Sequence, residues 1–169
     1  MILTAYILLA TTPAFAGGTH GGGHDNAMEV GTPATAQDAT TPIAVSLFET
    51  DDGEMLIEPR QLDFKAGETV LFTITNNGDY EHEFVLDTID NNVKHKELMQ
   101  QFPEMEHADP NALRLQPGES GTIAWTFSNA GTFEFACLIP GHYESGMHGE
   151  LTVAQVESDG LLKRIISFF

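Results

Sequence analysis

Apolar residues recur at every second position along much of this chain. Ile43, Val45 and Leu47 alternate with Ala44, Ser46 and Phe48, and Val70, Phe72 and Ile74 with Leu71, Thr73 and Thr75. A period of two sends successive side chains to opposite faces, as in a strand with one face in a core. The pattern returns at His82-Phe84-Leu86, Ile123-Trp125-Phe127, Phe133-Phe135-Cys137 and Leu151-Val153. Turn formers separate the runs at Asn76-Asn77-Gly78, Gln116-Pro117-Gly118 and Asn129-Ala130-Gly131. Many short strands punctuated in this way predict an all-β sandwich with Greek-key connections. Residues 91–109 depart from the period. There Val93 to Met99 favours helix and stops before Pro103, so this stretch is expected to be a partly helical insertion between strands.

The two ends lack the strand pattern. Residues 1–16 join an apolar run, Ile2 to Ala10, to Ala14-Phe15-Ala16, a small-residue pattern suited to signal-peptidase cleavage. The run is too short to cross a bilayer, and the first basic residue is Arg60, so the basic start of an ordinary signal peptide is missing. Export is nevertheless the expectation. Residues 17–41, rich in Gly, Thr, Ala, Pro and His, read as a flexible arm. The folded domain is expected over residues 42–153. Residues 154–169 form a tail whose apolar Leu161-Leu162 and Ile165-Ile166 flank Lys163-Arg164, which excludes a transmembrane anchor.

At 169 residues the chain suits one domain with appended tails. Seven Lys and Arg stand against 25 Asp and Glu, a formal charge of -18. Such a surface repels nucleic-acid phosphates and anionic lipid and favours cations, so nucleic-acid binding is excluded. One cysteine, Cys137, rules out an intramolecular disulfide. A lone thiol in an oxidising compartment needs protection, which a bound metal provides.

A copper ion that cycles between two oxidation states suits a soft thiolate, two imidazoles and a weak axial thioether. Cys137-Leu-Ile-Pro-Gly-His142-Tyr-Glu-Ser-Gly-Met147 offers thiolate, imidazole and thioether on one tight loop, with Pro140, Gly141 and Gly146 allowing the wrap. The second imidazole must come from another strand. His82 is the candidate, since it follows the Asn76-Asn77-Gly78 turn and opens the His82 to Leu86 run. Taken singly, each is an ordinary core or loop residue. Their joint spacing is what singles them out.

From Met55 to Val153 the chain resembles the cupredoxins. The resemblance rests on Gly67-Glu68-Thr69-Val70, on Asn76-Asn77-Gly78 before His82, and on the Cys-x4-His-x4-Met ending, over roughly 100 residues. Within cupredoxins the His-rich arm, His82-Glu83-Phe84 and Cys137-Leu-Ile-Pro-Gly-His142 look most like the periplasmic copper-tolerance proteins called CopI. The resemblance implies a cupredoxin-like Greek-key sandwich, a mononuclear copper site on His82, Cys137, His142 and Met147, and a periplasmic role in sequestering or handling copper. One departure stands out. Electron-transfer cupredoxins commonly place Asn after the first histidine and Ser or Thr after the cysteine, a pair that clamps the ligand loops. Here Glu83 and Leu138 take those positions. The side-chain clamp is therefore expected to be missing.

Auxiliary copper ligands are sought among His20 and His24 in the arm, Met99, Met105 and His107 in the insertion, and His148 beside Met147. Imidazole and thioether suit copper, whereas Met99 also suits a core. Asp79, Glu81 and Glu83 are expected to form a solvated rim that attracts copper ions. An alternative role is a mobile one-electron carrier that docks a redox or copper-handling partner through Leu138, Ile139 and Pro140. An enzyme is not expected, since the chain lacks the additional His-rich motifs of a multicopper oxidase and shows no Ser-His-Asp arrangement, phosphate loop or zinc-finger spacing.

Overall fold

The computed structural model describes residues 28–103 and 109–156. Among them ten strands form two five-stranded sheets. The first sheet runs β1 (Thr32–Pro33), β8 (Ser120–Thr126), β5 (Thr69–Asn76), β2 (Thr41–Glu49) and β3 (Met55–Glu58). The second runs β4 (Gln61–Lys65), β10 (His148–Ala154), β9 (Gly131–Ala136), β6 (His82–Asp87) and β7 (Ala112–Leu115). Parallel pairs β2·β5 and β4·β10 interrupt otherwise antiparallel ladders, the crossovers of a Greek key. This is the expected all-β sandwich.

The period-two residues meet between the sheets. Leu47, Ile74, Trp125 and Phe135 are fully buried, and Phe84 stacks on Phe135 with ring centres 5.7 Å apart. The helical insertion is α1 (Ile89–Gln101), started by the Thr88 side chain, which accepts the Asn91 N–H. Met99 is fully buried and packs with Val85, Ala136 and Leu138. No helix of the described residues is long and apolar enough to cross a membrane.

Residues 28–34, expected to belong to a flexible arm, pack instead against the edge of the first sheet. Thr32 and Pro33 pair with Thr126 and Trp125, Ala34 N–H donates to Ala124 O at 2.9 Å, and Val30 is fully buried. Gly31 makes this approach feasible. It has a φ of 139°, and a Cβ there would overlap the Thr126 carbonyl. A two-residue strand shows no period, which is why its sequence gave no strand signal.

Candidate metal centre

Three donors converge at one end of the sandwich. His82 opens β6, which is buried along its whole length. Cys137 follows β9, and a 2.9 Å hydrogen bond from its N–H to Met147 O ties off the loop ahead of β10. Inside that loop the N–H groups of Met147 and Ser145 donate to His142 O. His142 is thereby seated at the mouth of the loop, half-buried, while Met147 is fully buried.

The donor atoms of His82, Cys137 and His142 lie within 4.8 Å of one another. Nδ1 of His82 is 3.2 Å from Nδ1 of His142, which is 3.4 Å from Cys137 Sγ. Burial lowers the pKa of both imidazoles, and at His142 the nearby His82 lowers it further. Uncharged rings offer lone pairs. Burial pushes the Cys137 thiol up to about 12, so a thiolate there requires a cation in place of the proton. Two imidazoles and a thiol brought together out of water are the donor set of a thiophilic transition metal, and Met147 adds the thioether of the loop.

Glu83 corrects two expectations. It is 4% exposed and therefore belongs to no solvated rim. Its N–H donates to Cys137 Sγ at 3.3 Å, and its carboxylate accepts the Leu138 backbone N–H. Glu83 thus links the two ligand segments where the side-chain clamp was expected to be missing. Burial raises its pKa to about 7 against the opposing pull of Arg114, its cross-strand neighbour. Glu81, by contrast, bonds outward to Arg114 at 2.9 Å and to Gln116 at 2.6 Å. Its hydrogen bond to Arg114 lowers its pKa.

These donors match a known architecture. A model of copper-binding proteins, plastocyanin/azurin family, matches residues 44–154. The chain belongs to this family. It is 40% identical over 159 residues to the copper-resistant cuproprotein CopI of Rubrivivax gelatinosus, covering 90% of this chain and 94% of that one. The CopI of Pseudomonas aeruginosa is 36% identical, over 73% of this chain and 81% of its own. Among solved structures, a dithionite-reduced auracyanin from Roseiflexus castenholzii superposes with a TM-score of 0.59 at 28% identity, covering 69% of this chain and 98% of that chain. Copper is the cofactor of this cupredoxin, and His82, Cys137, His142 and Met147 are positioned to bind it.

Of the auxiliary candidates, the described Met99 and His148 do not join this cluster. Met99 packs in the core behind Leu138. His148 stacks on Tyr143 with ring centres 4.5 Å apart, and its Nδ1 is 3.9 Å from Glu134 Oε1. His20, His24, Met105 and His107 lie outside the described residues. The insertion nevertheless serves the site by bracing the ligand loop. Lys96 on α1 bonds Glu144 at 3.0 Å and sits 4.2 Å from the centre of the Tyr143 ring, and Asn92 and Tyr143 both donate to Glu134.

Proposed function

We propose that this chain is an exported copper-tolerance protein that holds one copper ion through His82, Cys137, His142 and Met147. The observation that carries the reading is the donor trio: two uncharged imidazoles and a buried thiol converge at one end of a packed sandwich. Likeness to copper-resistant cuproproteins over nine-tenths of the chain supports the tolerance role, and the apolar run with Ala14-Phe15-Ala16 supports export to the periplasm. When bound, copper supplies one-electron chemistry and affinity for sulfur. The chain contributes burial, neutral imidazoles and a thiol that gives up its proton only to a metal. We take the role as binding rather than catalysis, because His82 and Cys137 are fully buried and only the His142 side faces outward.

A mobile electron carrier would need an apolar docking face at His142. Of the three residues proposed for it, Leu138 is fully buried, and Ile139 and Pro140 alone reach the surface. Sequestration is therefore preferred. Metal analysis of purified protein tests this. A copper-to-protein ratio above one, falling towards one when residues 17–27 are deleted, supports sequestration with His20 and His24 as added ligands. A ratio of one with fast electron exchange would favour the carrier.

A further inference from the structure

Glu49 ends β2, in the opposite sheet from His82 and 33 positions before it. Its carboxylate accepts the N–H of Asp79 at 3.1 Å and of Tyr80 at 2.8 Å, and so caps the turn that leads into β6. Its Oε1 also lies 3.4 Å from His82 Nε2, with the histidine side chain fully buried and Glu49 only 13% exposed. That distance is long for a hydrogen bond, yet the buried Nε2 has no closer partner. Space is reserved for the carboxylate, because a Cβ on Gly78 would overlap it.

A neutral imidazole carries one N–H, and the group facing one ring nitrogen decides which nitrogen holds it. Nδ1 of His82 faces His142, and Nε2 faces Glu49. An N–H directed at a carboxylate is favoured over a lone pair directed at it, which leaves the Nδ1 lone pair on the side of Cys137 and His142. The same carboxylate holds the turn, so ring and turn move as one unit.

We propose that Glu49 is a positioning residue of the metal centre: by facing Nε2 it fixes His82 in the Nε2–H tautomer and keeps Nδ1 open toward the other donors before metal arrives. The proposal rests on the reading of His82 as a ligand.

Three variants test it. Glu49→Ala removes the carboxylate, Glu49→Gln keeps its shape without its charge, and Gly78→Ala keeps Glu49 but displaces it with a methyl group. In metal-free protein, nitrogen NMR of the imidazoles should report a single Nε2–H tautomer for His82 in the wild type and a mixture in Glu49→Ala. In copper-loaded protein, affinity measured by chelator competition should fall about 10- to 100-fold in Glu49→Ala, and the reduction potential should rise. Glu49→Gln and Gly78→Ala should show smaller shifts in the same directions. If tautomer, affinity and potential all stay at wild-type values, Glu49 is a turn cap alone and the proposal fails, even if the melting temperature drops. Should Glu49→Ala not fold, the other two variants carry the same decision. A wild-type protein without a copper band dependent on Cys137 would sink the ligand reading instead, and the metal-free tautomer would still report on Glu49.

Discussion

The N–H of Glu83 points at Cys137 Sγ from 3.3 Å while the carboxylate of the same residue takes the N–H of Leu138. One side chain and its own backbone therefore span β6 and the ligand loop. Glu83→Ala should leave the buried Leu138 N–H without a partner and open a cavity, costing about 2 to 4 kcal/mol of stability by denaturant unfolding. A loss below about 0.5 kcal/mol would show that the link carries no load.

The acidity of Glu83 gives a pH signature in the metal-free protein. Its folded pKa of about 7 lies above the ordinary 4.5 because burial disfavours the charged form. The folded state keeps a proton that the unfolded state releases between those values. Stability from this group is therefore lost as pH rises from 4.5 through 7, by up to about 3 kcal/mol, and is unaffected below 4.5. Glu83→Gln cannot ionise, so its stability relative to wild type should improve steadily from pH 5 to pH 8. A pH-independent difference between the two would contradict a protonated Glu83.

Loading with Cu(II) should give strong visible bands that Cys137→Ser abolishes, since the chain has no other thiol. Met147→Leu should keep the copper and shift both the bands and the potential. Complete loss of copper from the leucine variant would argue against a weak axial role.

The amino-terminal boundary can be located by truncation. Removing residues 1–27 keeps β1 and the contacts from Met28 onward, and provides the reference protein. Removing residues 1–38 deletes β1 and the fully buried Val30, and should cost at least about 2 kcal/mol. Equal melting temperatures for the two truncated proteins would mean that β1 contributes nothing to stability.

Gly149 faces the Phe135 ring, and a Cβ there would overlap that ring and sit 2.6 Å from Arg60 O. Gly149→Ala should destabilise by about 1 to 3 kcal/mol through overpacking. Thermal melts of the metal-free variant would measure this, and an unchanged melt would refute the crowding.

Strand periodicity made the sandwich legible because burial on one face leaves a direct trace in residue order. The four principal ligand candidates were legible for another reason: three of them share one loop whose spacing is itself a signature. Contacts between distant segments left no such trace. Val30 beneath Trp125 is set by packing across 95 positions, and Glu49 beside His82 by two sheets meeting. Glu83 was misread because an acid next to a ligand histidine reads as surface charge, and only the Leu138 N–H and the depth of β6 reveal a buried clamp. Among the auxiliary candidates, Met99 shows why thioether count alone says little, since its sulfur-bearing side chain fills the gap between α1 and the second sheet.

The parallel pairing of Gln61–Lys65 with Glu150–Ala154 has a consequence in time. β4 must wait for a partner that arrives about ninety residues later in synthesis, and closing so long a loop is slow. Strand β10, the last among the described residues, begins immediately after Met147, so the donors from Cys137 to Met147 take their final places only as it docks. A nascent chain thus presents an unassembled site, and its donors come together only in a molecule that has finished folding.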